Sequence, residues 1–462
     1  MLAKFKKKYI GDWDFYQKYL LLAIPMILQN AITNLVSFLD NIMVGQLGTE
    51  QMSGVAIVNQ LIFVYNLAIF GAVSAASIFG AQYFGKGNHK GHMYSFRFKL
   101  YATLLVTGGA ILLFLTKGSA LISLYLTDTV GNGATDLALQ YGLEYLAIMM
   151  VGLIPFAVNQ SYATNIKETG QTFIPMLASF VAVGTNAILD YLMIFGIGPF
   201  PELGVQGAAL ATVIARYIEA LIVVIWAHIH RGKNRYLEGA YTGFGIPLAE
   251  LKAILIKGFP LMMNEVLWAA GMTTVTQCYS VRGLDVVAGL NIASTITNLF
   301  NIVYLQLGSC ISIVVGQYLG AGKLEDAKDA DNKMIVFSVF CCVIMAALMF
   351  VVGGFFPGIY NTTEEIRELA TSFIAVSAII MPFCAFSHAS YFTLRSGGKT
   401  VVTFLFDSVF TWVIVVPAAY LLAHFTGLGI VSIYFLVQGT ALIKVIIGYL
   451  MVKSNVWVVQ MV

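Results

Sequence analysis

Uninterrupted apolar stretches recur along the whole of this 462-residue chain, each long enough for a helix to cross roughly 30 Å of hydrocarbon. They cover residues 15–45, 51–84, 93–116, 135–164, 170–196, 204–230, 252–280, 286–319, 327–356, 363–394, 398–424 and 429–452, and short segments rich in Gly, Lys or Asp separate them. Twelve spanning helices are the expected elements. Composition agrees: 59% of residues are hydrophobic, 11% are charged and the mean hydropathy is +0.82, outside the range of soluble domains. The chain is expected to be an all-α integral membrane protein.

The first span follows LAKFKKK but is too long for a signal-peptide core and shows no small-residue cleavage pattern, so it is expected to be retained. Most of the 26 Lys and Arg fall in the N-terminal segment, the even-to-odd loops and the C-terminal tail. Lys117, Arg282 and Arg367 lie on the other side, and Arg216 and Lys444 lie within spans. The positive-inside rule therefore puts both termini in the cytoplasm of a multi-pass protein of the plasma membrane. The expected division is a cytoplasmic segment 1–14, an N-lobe 15–230, a cytoplasmic linker 231–251, a C-lobe 252–452 and a cytoplasmic tail 453–462. The net charge of +3 reflects this topology, and no basic surface interleaved with aromatics points to nucleic acid. Cys278, Cys310, Cys341, Cys342 and Cys384 lie in apolar segments without metal-ligand spacing, as packing residues do.

The chain repeats itself. A gapless shift of 235 positions superimposes Pro25 on Pro260, Gly48 on Gly283, Gly54 on Gly289, Asn66 on Asn301 and Ser77 on Ser312, and lays AQYFGKG (81–87) on GQYLGAG (316–322). A second block, LIPFAVNQ from residue 153, matches IMPFCAFS from residue 380 at an offset of 227. Two six-helix halves follow, and because six is even they can be related by a pseudo-twofold along the membrane normal. Two lobes enclosing a central cleft are expected.

Polar residues in the spans fall on faces. Asn30, Thr33, Asn34, Ser37, Asp40 and Asn41 recur every three or four residues in span 1, and Asn291, Ser294, Thr295, Asn298 and Asn301 do so in span 8. Such stripes either hold helices together by hydrogen bonds or line a cavity, and their length favours the cavity. Asp40 is the sole charge between Tyr19 and Thr49; Asn186 and Asp190 share a face of span 5 at comparable depth. If the two carboxyl groups approach, one proton or one Na⁺ relieves both their repulsion and their desolvation, which makes them a candidate cation switch.

The second half carries its own ionisable set, Glu265, His388 and Asp407, without counterparts to Asp40 and Asp190: Asp40 aligns with Val275 and Asp190 with Pro417. Arg216 and Glu219, three apart in span 6, are placed to pair. Prolines 25, 155, 175, 260, 382 and 417 interrupt helical hydrogen bonding; Pro25, four turns before Asp40, and Pro260 are candidate hinges. Soluble-protein motifs are poor. SGGKT (396–400) lacks the first P-loop glycine, where Thr393 stands, and DADN at 329 lacks the glycine and glutamate of a calcium loop. With no nucleotide site and no nucleophile–base or metal set, the expectation is a carrier without cofactor rather than an enzyme, driven by an ion gradient. Metal enters at most as transiently bound Na⁺.

Taken in order, IP at 24–25, FLDNIMVGQLG, AQYFGKGN, NAILDYLMIFGIG, GVQGAALATVIAR and LRSGGKT resemble the multidrug and toxic compound extrusion (MATE) transporters over essentially the whole chain. The resemblance implies a V-shaped pair of six-helix bundles that exports organic, often cationic, compounds in exchange for H⁺ or Na⁺. It implies an N-lobe cation site at Asp40, Asn186, Asp190 and Thr212, and a bend of the first helix at Pro25. Tyr191 stands where many members have proline, and Cys384 where some Na⁺-coupled members have an acid. The expected partners are small organic cations, H⁺ or Na⁺ and membrane lipid, for a monomer that touches no nucleic acid. Asn30, Asn34, Ser37, Asn291, Thr295 and Asn298 are the expected cavity-lining residues, and Glu265, His388 and Asp407 the C-lobe candidates. An alternative within the broader superfamily, a flippase for lipid-linked precursors, would want a basic cavity, whereas these candidates are acidic or neutral.

Overall fold

The computed structural model describes residues 9–126, 134–243 and 245–462, with the side chains of Phe38 and Ala134 excepted. The basic run LAKFKKK, and with it most of the expected cytoplasmic segment 1–14, lies outside these residues. The described residues form helices and no strand. They are α1 (Trp13–Gly45), α2 (Thr49–Lys86), α3 (His89–Ser123), α4 (Ala134–Val151), α5 (Leu153–Glu168), α6 (Phe173–Ile194) and α7 (Val205–Ile229). There follow α8 (Leu248–Ser280), α9 (Leu284–Gly320), α10 (Leu324–Gly353), α11 (Glu364–Ser396), α12 (Thr400–Phe404), α13 (Val416–Phe425), α14 (Ile430–Gly439) and α15 (Ala441–Lys453).

Eleven described helical segments are long and apolar enough to cross a membrane, and the pair α4–α5, bent by 44° around Gly152, makes a twelfth. The chain is thus an all-α membrane protein of twelve spans. Helix is forced on these segments because hydrocarbon offers no partner to a free N–H or C=O. Large apolar side chains such as Phe63, Leu105, Leu221, Phe350 and Leu421 stay exposed, which costs nothing where the solvent is lipid.

Two spans depart from regular geometry. Between α12 and α13 the chain takes two π-helical turns, Leu405–Val409 and Thr411–Val415. Between α14 and α15 the helix breaks at Thr440. Such irregularities survive inside a membrane only where side chains or neighbouring helices satisfy the displaced backbone groups.

The repeat has a physical counterpart. Gly87 and Gly322, 235 apart, close α2 and α9 with left-handed φ values of 74° and 73°. The same pair of bonds accompanies both turns, Asn88 N to Tyr83 O (2.9 Å) with Gly87 N to Phe84 O (3.0 Å), and Lys323 N to Tyr318 O (3.0 Å) with Gly322 N to Leu319 O (3.1 Å). Upstream, the two motifs cross reciprocally: a Cβ on Gly85 would collide with the backbone of Gln317, and one on Gly320 with the backbone of Gln82. Gln82 and Gln317 are themselves equivalent under the shift. Each glycine is therefore the space into which the other copy's glutamine backbone fits.

By compactness the chain divides into unit 1 (Met1–Ile27, Ala81–Asn88, Lys252–Val462) and unit 2 (Leu28–Gly80, His89–Leu251). The change from one to the other falls inside α1, two residues after Pro25, and inside α2, after Gly80. Unit 2 packs Val58, Ile62 and Ile69 of α2 against Leu146, Met149, Leu153 and Ile194. Its segment after α7 is folded down rather than free: Tyr236, Leu237 and Ala240 are buried against Phe96 and Tyr162. Arg97 fastens it by donating to the carbonyls of Ala240 (2.9 Å), Gly245 (2.7 Å) and Gly239 (2.6 Å). Unit 1 has two cores, one around Phe373, Met349 and Tyr304, the other joining Tyr19, Ala23 and Met26 of α1 to Leu307, Ile311 and Met334. Its last residues dock on the motif crossing. Trp457 is buried, Met461 N donates to Gln82 Oε1 (2.8 Å), and Gln82 Nε2 donates to Ser396 O (2.9 Å) and Val459 O (3.2 Å).

Candidate functional site

In unit 2, α1 brings Asp40, α6 brings Asn186 and Asp190, and α7 brings Thr212. The spacing of Asn186 and Asp190, one helical turn, points both into the interior, where they are 6% and 1% exposed. Asn186 Nδ2 reaches Thr212 Oγ1 at 3.5 Å, and the threonine hydroxyl donates back to Ala208 O (3.0 Å). The Asp40 and Asp190 carboxyl groups face each other directly. Neither Asp190 oxygen nor Asp40 Oδ1 makes a well-formed hydrogen bond to the described residues, and the nearest donor to Asp190 is the Asn186 amide, one turn before it on α6.

Two facing carboxylates repel when both are ionised. The arrangement is relieved by a proton held between the carboxyl groups, or by a cation bound to both. Around them, Tyr145 donates to Asn59 Oδ1 (3.4 Å), and Tyr65 donates to Leu153 O (3.0 Å) and pairs with Thr107 Oγ1 (2.9 Å). These hydroxyls are committed elsewhere and do not neutralise the pair.

Arg216 does not neutralise it either, nor does it form the expected ion pair with Glu219. Its guanidinium donates to Gly152 O (3.4 Å) and lies over the Phe156 ring (5.2 Å). At the break between α4 and α5 the Gly152 carbonyl accepts only a long bond from Phe156 N (3.4 Å), and Arg216 gives it a second donor. Glu219 accepts instead from Ser179, which in turn accepts from Gln29 Nε2 (2.7 Å).

The polar stripes sit differently. Thr33, Asn34 and Ser37 are exposed, and each donates to the carbonyl four residues back: Gln29 O (2.9 Å), Asn30 O (2.8 Å) and Thr33 O (3.0 Å). Asn291, Ser294, Thr295 and Asn298 on α9 are likewise exposed, with Ser294 and Thr295 bonded to Asn291 O. Neither stripe spends these donors on joining helices.

In unit 1 the candidates gather around an ion pair. Asp407 Oδ1 lies 2.5 Å from Lys444 Nζ, and Oδ2 accepts from Asn264 Nδ2 (3.0 Å). Asn264 also takes the Ser408 N–H (3.3 Å) and hydroxyl (2.8 Å) on Oδ1, satisfying a backbone group in the π-helical turn. Glu265, the next residue of α8, is within electrostatic reach of Asp407 and Arg395. His388 of α11 is within reach of both members of the ion pair, and its ring packs on Tyr304 with centroids 4.8 Å apart. Pro260 lies inside α8 one turn before Asn264, as Pro25 lies inside α1.

Sequence reasoning missed Asn264 and gave Lys444 no role, although a lysine in the last span was a visible anomaly. It also missed a buried cluster in unit 2. Lys99 Nζ binds Glu168 Oε1 (2.5 Å) and the Asn165 side chain, and His92 Nε2 lies 3.3 Å from Glu168 Oε2, all at 2% exposure or less. Gly80 has no Cβ because the Glu168 carboxylate occupies that space. Glu168 is the last residue of α5, and Lys99, ten residues into α3, had been counted with the loop charges.

The family model described as MatE matches residues 25–192 and 260–421, one copy in each half of the repeat. A relative from Thermotoga maritima described as a probable multidrug resistance protein NorM is 23% identical over 438 residues, 94% of this chain and 92% of its own. A protein of the same description from Halalkalibacterium halodurans is 24% identical over 413 residues, 89% of this chain and 88% of its own. Among solved structures, one described as an outward-facing conformation of a multidrug resistance MATE family transporter superposes with a TM-score of 0.85 at 20% identity, covering 96% of each chain. At that identity the likeness is one of fold.

Proposed function

The chain belongs to the MatE family, and from that premise we propose that it is a secondary active multidrug efflux antiporter of the plasma membrane. In this reading it exports lipophilic organic cations in exchange for H⁺ or Na⁺ by alternating access, as a monomer in lipid with both termini cytoplasmic. The observation that supports it best is the facing pair Asp40 and Asp190, two buried or half-buried carboxyl groups with no cationic partner among the described residues and with three of their four oxygens lacking a well-formed hydrogen bond. A coupling cation entering from outside neutralises the pair, with Asn186 and Thr212 supplying neutral ligands beside it. An organic cation entering from inside competes for the same charge, and the exposed stripes, that of α1 in one unit and that of α9 in the other, each offer it polar contacts. Pro25 and Pro260 are the hinges, each removing a backbone bond in the helix that carries a site. The N-lobe is taken as 15–230 and the C-lobe as 252–452. One elementary charge crossing 100 mV supplies roughly 2.3 kcal/mol, enough for about fifty-fold accumulation.

The test is transport of a fluorescent organic cation in vesicles with proton and sodium gradients imposed separately. Asp40→Asn is expected to abolish gradient-driven efflux while the protein remains in the membrane at wild-type amount. Undiminished efflux by that variant removes the carboxyl pair from the mechanism.

A further inference from the structure

The ion pair in unit 1 has the construction of a binding site that is already filled. The Lys444 ammonium is 2.5 Å from Asp407 Oδ1, 5.3 Å from the centroid of the Phe406 ring and 5.8 Å from that of Phe410. A carboxylate with two aromatic rings inside about 6 Å is the chemistry that recognises an alkylammonium ion, by charge-assisted hydrogen bonding on one side and ring quadrupoles on the others.

The cage is held independently of its occupant. Phe406 and Phe410 are 3% and 7% exposed, and the π-helical turn from Leu405 to Val409 presents Phe406 and Asp407 together. Asn264 fixes the second carboxylate oxygen and Ser408. Gly448, one turn beyond Lys444, lets α15 approach: a Cβ there would stand 3.1 Å from Ser390 Oγ and 3.2 Å from the Phe406 ring. The occupant, by contrast, enters from a separate helix that starts afresh after the break at Thr440.

We propose that Phe406, Asp407 and Phe410 form a primary-alkylammonium site, and that Lys444 is its tethered occupant. While Lys444 is seated, this half binds no exchangeable cation. The proposal rests on side-chain geometry and stands whether or not the transport reading does.

Truncation to alanine removes Cγ, Cδ, Cε and Nζ, the atoms of propylammonium, so the probe is propylammonium chloride and the readout is thermal unfolding of the purified protein in detergent. Lys444→Ala is expected to melt several degrees below wild type and to recover saturably with millimolar propylammonium. Wild type and Lys444→Ala/Asp407→Asn are expected not to respond, nor Lys444→Ala to NaCl or to 1-propanol, which has the shape without the charge. No saturable recovery, or equal recovery with NaCl or 1-propanol, overturns the assignment. Where Lys444→Ala does not accumulate, expression and extraction in propylammonium are expected to yield folded protein; failure there while Lys444→Ala/Asp407→Asn accumulates overturns it equally.

Discussion

The two halves of the repeat hold acidic side chains in the membrane by different means. In unit 2, Asp190 and Asp40 meet as two acceptors with no ion-pair partner among the described residues and only the neutral Asn186 amide beside Asp190. In unit 1, Asp407 is matched on one oxygen by Lys444 and on the other by Asn264. A carboxylate paired with a covalently attached cation is matched within the protein, whereas in the proposed function the Asp40–Asp190 pair takes a proton or an ion from solution. The difference teaches that duplication supplied two similar scaffolds, and that, on the proposed function, the position of one lysine separates an exchanging site from a fixed one. Asp40 aligns with Val275 and Asp190 with Pro417, so the second half has no copy of the first site but its own set, Glu265, His388, Asp407 and Lys444.

The comparison breaks most sharply if the fixed arrangement is copied into the exchanging half. Thr212 stands beside Asn186, one helical turn from Asp190, so Thr212→Lys brings an ammonium to the carboxyl pair. Efflux is expected to fall to background in vesicles, as with Asp40→Asn, with the protein still folded and membrane-inserted. Full transport by Thr212→Lys would show that permanent neutralisation of the pair does not matter.

Next in size are effects on the fixed half. Asn264→Ala leaves the Ser408 N–H and one Asp407 oxygen without their partner, at about 1–3 kcal/mol for each buried group left unsatisfied. A fall in thermal stability of the detergent-solubilised protein is expected, with Asp40→Asn as a control that leaves unit 1 untouched. Gly448→Ala forces a methyl against Ser390 and Phe406, and about 1–3 kcal/mol of overpacking is expected. Gly109→Ala, which meets nothing within 4 Å, is the matched substitution without that cost.

The spans were legible because lipid leaves a chain few options: span 8 was expected at 286–319 and is found at Leu284–Gly320. The bend between α4 and α5 was half legible, since Pro155 marked the segment while the break itself falls at Gly152. The π-helical turns were not legible at all. They depend on Asn264 and on Trp412, whose indole N–H reaches Leu267 O (2.8 Å), and both contacts join residues about 145 apart in sequence. Asp40 and Asp190 were singled out because charge in an apolar run stands out at once, and Asn186 because it lies one turn before Asp190 on the same face. Lys444 stood out equally, but its partner lies 37 residues upstream on another helix, and only tertiary structure joins them. Arg216 shows the reverse error: its neighbour in sequence, Glu219, was the available partner, and the Gly152 carbonyl at a bend 64 residues away took precedence.

The smallest expected effect concerns the stripes, and it asks which half the substrate follows. Ser37 and Ser294 are both exposed and both give their hydroxyl proton to their own helix, Ser37 to Thr33 O and Ser294 to Asn291 O. Removing either hydroxyl leaves no buried group unpaired, so Ser37→Ala and Ser294→Ala are each expected to change stability by less than about 0.5 kcal/mol. Their effects on transport should differ. If the exchanging site belongs to the half that contains Asp40, a cation competing for that charge passes Ser37, one turn before it on α1, and its half-saturating concentration is expected to rise severalfold in Ser37→Ala. Ser294 leads to a half whose carboxylate is already neutralised by Lys444, and the same measurement on Ser294→Ala should match wild type. Equal shifts in both variants would mean that substrate contacts the two stripes alike, and the contrast between the halves would then concern the coupling cation alone.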